Sequence, residues 1–176
     1  MVLALSAIVV SGVMFYYQSA SDSNKTQNTI SEVMSTIAAV NGLYVGQATY
    51  TGLTNDVLWN SSAIPQTYKG DKGLITNPFG GSVAITAGDL NANKYSLTLN
   101  GIPRSACVNI ASMNLGTSLA GVGVGMTGDN FADLPVTTVS SDTKAEKNKL
   151  YSALSPQNAS LVCQDENNNA ITYVMK

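Results

Sequence analysis

Catalysis and metal binding need side chains that carry protons, attack substrates or ligate cations, and this sequence offers few of them in workable order. It has no histidine, which removes the commonest general base and the commonest metal ligand together. Neither a Ser-His-Asp nor a Cys-His site can be assembled from it. No G-x-S-x-G turn is present to expose a serine nucleophile. Zinc would find two thiols and scattered carboxylates, a poor ligand set. The pair Asp165-Glu166 would act as general acid and base only if folding carried it into a cleft. Beside Asn167-Asn168-Asn169 it reads as a solvated turn. The two cysteines, Cys107 and Cys163, lack the C-x-x-C spacing of a redox site.

Three further patterns resemble binding motifs and fail on their surroundings. Gly123 to Gly128 spells G-x-G-x-x-G, which cradles a pyrophosphate only where a helix opens behind it. The residues that follow, Asp129 to Pro135, are turn-like and closed by proline, so a glycine-rich strand and turn is expected. Asp89-Leu90-Asn91-Ala92-Asn93 resembles the start of a calcium loop, but Lys94 replaces the required glycine and Asn100 the final glutamate. A hairpin turn is expected there. The sequons at Asn24, Asn60 and Asn158 are at the level of chance in a chain so rich in Asn, Ser and Thr. The reading is of a protein without enzymatic activity or cofactor.

The 176 residues suffice for one domain with a real core and an appendage. The formal net charge of −2 argues against a nucleic-acid partner, which would need a basic face. Only 11% of residues are charged, where about a quarter is usual.

The appendage is at the start. Residues 1–21 carry no charge, and Asp22 is the first. As a helix they would extend roughly 31 Å, the thickness of a bilayer core. No basic stretch precedes them and no A-x-A follows, which argues against a cleaved signal peptide. A helix apolar all round must be buried, in lipid or among neighbouring helices. From Ile30 the pattern narrows to a stripe: Ile30, Val33, Met34, Ile37, Ala38, Val40 and Tyr44 recur at i, i+3, i+4, i+7. No proline occurs before Pro65, and Asn41-Gly42 is a stop signal. One helix is therefore predicted from Met1 to about Asn41, roughly 60 Å long. Its first half protrudes, and its second half packs on a globular domain. Gly12, next to Ser11, is its weakest point.

The remainder predicts an α+β domain with an antiparallel sheet. Tyr44–Pro78 reads as loop, anchored by Leu58, Trp59 and Tyr68, and Asn77-Pro78-Phe79-Gly80-Gly81 as a turn. Strands are expected at Ser82–Thr86, Tyr95–Leu99, Val122–Met126 and Ile171–Met175. Helices are expected at Arg104–Leu115 and Asp142–Leu154, with a short third helix capped by Ser155 and opened by Pro156. Behind a membrane-crossing start, Cys107 and Cys163 are expected as a disulfide, two buried thiols being the alternative.

Taken together, the opening MVLALSAIVVSGVMFYYQSASDSNK, the NPFGG turn, the Cys107–Cys163 pair and the terminal ITYVMK resemble the type IVb major pilins of the enterobacterial bundle-forming and longus type. The resemblance covers essentially the whole chain. It implies a type IV pilin fold, with a long N-terminal helix on an antiparallel sheet and a disulfide-stapled C-terminal region. Family members carry a methylated N-terminus and an acidic fifth residue a few positions earlier. This sequence starts beyond both, so its start reads as a truncation and that carboxylate is not assigned.

The resemblance further implies a division into residues 1–21, anchor and filament core, and 22–176, a head that includes the amphipathic half-helix 22–41. Val2, Leu3, Leu5, Ile8, Val9, Val10, Val13, Met14, Phe15 and Tyr16 would pack in the filament core. Gly12 would be the flexible point, and Ile30, Val33, Met34, Ile37 and Val40 would pack on the sheet. The expected partners are further copies of the chain in a helical filament, the pilus assembly machinery and minor pilins, and the inner membrane before assembly. The segment between the cysteines would meet host surfaces or neighbouring pili. The implied role is a structural subunit of an extracellular pilus for adhesion, bundling and colonisation. The alternative is a membrane-anchored minor pilin or pseudopilin that presents a ligand-binding domain.

Overall fold

The computed structural model describes residues 2–126, 131–138 and 144–176; the side chains of residues 2–7, Ser11 and Phe15 are outside the described set. Helix α1 runs unbroken from Val2 to Leu43 and passes through Gly12 as continuous helix. It is followed by α2 (Asn55–Trp59), β1 (Ile75–Thr76), β2 (Ser82–Ala87), β3 (Tyr95–Ile102), α3 (Arg104–Ala111), β4 (Leu119–Val124), β5 (Val136–Thr137), β6 (Leu150–Tyr151), α4 (Pro156–Val162) and β7 (Asn169–Met175). The strands form one seven-stranded sheet in the order β1-β2-β3-β7-β4-β6-β5. Every pair is antiparallel except β5 with β6.

Strand alternation decides what each face of this sheet touches. Val83, Ile85, Leu97, Leu99, Ile171, Tyr173, Val122 and Val124 point to the helical side, where they join Val33, Ile37, Val40, Ile110 and Val162 in the main core. The opposite face is more polar and thinner. There Thr98 and Thr172 share a buried hydroxyl–hydroxyl bond of 2.9 Å, and Val174 joins a small cluster with Met126, Phe131, Ala132 and Leu150. Helix α3 is fixed over the main core by the buried Tyr173 hydroxyl, which donates to the Ile110 carbonyl.

Three sequence expectations fail in instructive ways. Helix Asp142–Leu154 is not formed over its described residues, 144–154. Asn148 has φ +63°, outside the right-handed helical region, and Leu150–Tyr151 is a strand on β4. The pair is buried on both sides: Leu150 enters the small cluster and Tyr151 the main core. Two consecutive buried residues belong to opposite faces of a strand, not to one face of a helix. The expected strand Val122–Met126 sits earlier, at Leu119–Val124, because Gly125 turns the chain with φ +76°. Helix α3 ends at Ala111 instead of Leu115, where the Ser112 hydroxyl bonds back to the Val108 carbonyl.

The segment expected as loop contains α2 and β1, and asparagines tie it down. Asn55 donates to the Val83 carbonyl at 2.8 Å and accepts the Ile85 amide at 2.7 Å, closing α2 onto β2. Asn77 does the same for the NPFGG turn. Its amide donates to the Asn100 carbonyl, and its oxygen accepts the Phe79 and Gly81 amides. Gly81 is pressed so closely on β3 that an added Cβ would lie 1.8 Å from the Asn100 oxygen. Gly81→Ala must therefore push two backbones apart. A loss of at least about 2 kcal/mol is expected, read as a lowered unfolding midpoint.

Candidate assembly surface

The surface that invites a partner is the N-terminal half of α1. Among its described side chains, Ile8 is 70% exposed, Val9 65%, Val10 57%, Val13 53%, Met14 65%, Tyr16 75% and Tyr17 73%. At about 100° per residue these side chains are spread around most of the rod. Burying such side chains is worth roughly 1.5–3 kcal/mol each, so covering this set is worth on the order of 10 kcal/mol. Val2, Leu3, Leu5 and Phe15, expected in the same core, lie outside the described side chains. Among the described residues no helix is long and apolar enough to cross a membrane.

The contacts of α1 with the rest of the chain include its first charged residues. Asp22 accepts a hydrogen bond from the Ser105 hydroxyl of α3 at 3.1 Å. Lys25 places its ammonium 5.9 Å from the centroid of the Phe79 ring, a cation–π distance that docks α1 on the NPFGG turn. From Thr26 onward one face of α1 is buried: Thr26, Thr29, Val33, Thr36, Ile37 and Val40, with Ile30 half-buried against the core. Met34 departs from the expected face and is 52% exposed. It follows Val33 by 100° around the helix, enough to leave the contact zone. Thr26 and Thr29 return their hydroxyls to the Asp22 and Lys25 carbonyls, so polar residues enter the interface already satisfied. Sequence reading took the stripe as apolar only and missed these threonines, whose i−4 bonding had no signal in hydropathy.

The C-terminal region is stapled. Cys107 in α3 and Cys163 at the end of α4 form a disulfide across 56 residues, with both cysteines fully buried. The α4 cap is as expected: Ser155 accepts the Asn158 amide, and Pro156 opens the helix. Lys147 pairs with Asp165 at 2.7 Å, which spends that carboxylate on a surface ion pair. The Glu166 carbonyl receives the Arg104 amide. The Asp89–Asn93 turn faces inward with donors: the Asp89, Leu90 and Asn91 amides all bond the Asp133 carboxylate. These bonds hold Asp133 below the usual carboxylate range against the opposing effect of desolvation. Gly123 lies on β4, where an added Cβ would meet the Lys149 oxygen at 2.6 Å. That glycine makes room for a neighbouring strand, while Gly128 of the same motif lies outside the described residues.

Comparison with known proteins agrees with this geometry. The family described as bundlin matches residues 18–176. The chain is 48% identical over 179 residues to a protein named the major structural subunit of bundle-forming pilus in Escherichia coli O127:H6 (strain E2348/69 / EPEC). It is 47% identical to the protein of the same name in Escherichia coli O111:H-. Each match covers 100% of this chain and 90% of the relative. Among solved structures, a type IVb pilin from Salmonella typhi superposes with TM-score 0.55 at 20% identity, over 86% of this chain and 97% of that one. TcpA, a type IV pilin from Vibrio cholerae El Tor biotype, gives 0.54 at 13% identity, over 87% and 99%. The structural likeness shows the type IV pilin fold.

Proposed function

The chain belongs to the bundlin family and has the type IV pilin fold, and on that footing we propose that it is the major structural subunit of a bundle-forming type IVb pilus. One observation carries the mechanism: a helix half bare of charge, with exposed apolar side chains around most of its circumference, extends from a folded head. In water that surface is untenable. Before assembly it lies in the inner membrane. On extraction it exchanges lipid for the same half-helices of neighbouring copies, so the filament core is built from Ile8 to Tyr17 and the residues before them. The heads form the outer wall. The stapled region between Cys107 and Cys163 faces outward, toward neighbouring pili and host surfaces. Gly12 gives the rod a place to yield as subunits bend into the helical lattice.

Immunogold electron microscopy of cells expressing the chain from its native operon, with antibody to residues 107–163, tests the role. Dense, regular label along thin surface fibres is expected. Label confined to fibre tips or the envelope would make the chain a minor or anchored subunit instead.

A further inference from the structure

Glu32 sits on α1 in the midst of the seat on the head. It is 5% exposed, and among the described residues neither carboxylate oxygen has a hydrogen-bond partner. Its helical neighbours Thr29 and Thr36 are buried as well, and the Thr29 hydroxyl is already given to the Lys25 carbonyl. We propose that Glu32 is a proton-linked latch between α1 and the head, which seats the helix when protonated and loosens the seat when ionised.

Among the described residues no cation pairs with the carboxylate; the ion pairs found there are Lys147–Asp165 and Lys149–Glu146. Lys25, seven residues earlier on the same side of α1, holds its ammonium over Phe79. Helix α3 carries Arg104 and helix α2 carries Asp56, both exposed. From the sheet, Tyr173 spends its hydroxyl on the Ile110 carbonyl. Tyr95 packs edge-on to Tyr50, next to Tyr44 at the far end of the helix. Burial alone pushes the Glu32 carboxyl up from its ordinary 4.5 to about 7.

The folded state therefore keeps a proton that the unfolded chain has released. The stability from that proton is complete below about pH 4.5 and is lost as pH rises through about 7. Asp133, held low, acts in a separate window: its contribution is present above 3.8 and falls away at more acid pH. The chain has no histidine, the side chain that ordinarily titrates between pH 5 and 8. Among the described side chains, burial carries the Glu32 carboxyl into that range.

The test is equilibrium unfolding in guanidinium chloride of the full chain in non-ionic detergent, from pH 4.5 to 8.5, beside Glu32→Gln. The native chain's folding constant is expected to fall tens- to hundreds-fold on going from pH 5 to 8. Glu32→Gln is expected to be flat across the range. A flat native profile, or an unchanged slope in the variant, overturns the proposal. Should Glu32→Gln fail to fold, 13C-carboxyl labelling of the native glutamates decides. Glu32, Glu146 and Glu166 give separate titrations, and one midpoint near 7 is expected. Three ordinary midpoints would overturn the latch.

Discussion

Cells that make the chain with Val13→Asp are expected to produce no filaments while the head still folds. Val13 is 53% exposed and lies nine residues before Asp22, where α1 first bonds the head. The substitution therefore touches nothing that holds the head together, and the unfolding midpoint of the detergent-solubilised chain should match the native one. In the filament the same carboxylate would be enclosed by apolar side chains from several copies, with no cation among the uncharged residues 1–21 to pair with it. An isolated charge in such surroundings costs several kcal/mol even after relaxation. Every subunit carries that cost, against the roughly 10 kcal/mol that the exposed side chains offer. Val13→Leu keeps the surface apolar and should keep the filaments. Electron microscopy of shed fibres reads both variants; abundant normal filaments from Val13→Asp would refute the packing.

The second large effect is expected at the staple. Cys107→Ser removes a crosslink between residues 56 apart in sequence. By chain-entropy arguments a loop of that size contributes about 4 kcal/mol, a large share of the roughly 5–15 kcal/mol that holds a domain. A fall in the thermal midpoint of roughly 10 °C follows. The damage concentrates in α3 and α4, which the bond joins, and from α3 it reaches the Ser105–Asp22 contact at the head's border. Fibre yield should fall accordingly. Reduction of the native protein should reproduce the loss. Equal protease resistance in the oxidised and reduced forms would show that the disulfide bears no structural weight.

The parts of this fold that were legible in sequence are those whose pattern is long. Helix α1 was placed within two residues of its observed C-terminal end, because proline is absent and the apolar stripe from Ile30 meets the stop signal Asn41-Gly42. Strand β3 was readable from Tyr95, Leu97 and Leu99 alternating with Ser96 and Thr98, and α4 from Ser155-Pro156. Strands β1, β5 and β6 were not, since two residues cannot show a period. Leu150–Tyr151 exists as a strand because β4 and β5 lie on either side of it, contacts that local sequence does not encode. Met34 was assigned to the packed face because hydropathy cannot say where a stripe stops. Glu32 shows the converse. A charged residue among apolar ones reads as solvated, yet the head closes over it.

The exposed apolar rod was legible in sequence, since it depends on composition alone: a run without charge. Its junction with the head was not, because the Asp22–Ser105 and Lys25–Phe79 contacts join residues more than fifty positions apart.

Cryo-electron microscopy of purified filaments tests the central claim most directly. The account predicts that Ile8, Val9, Val13 and Tyr16 of each copy contact neighbouring helices along the filament axis, with the heads outside. A filament whose axis is built by heads, with residues 8–17 left in solvent, would contradict it.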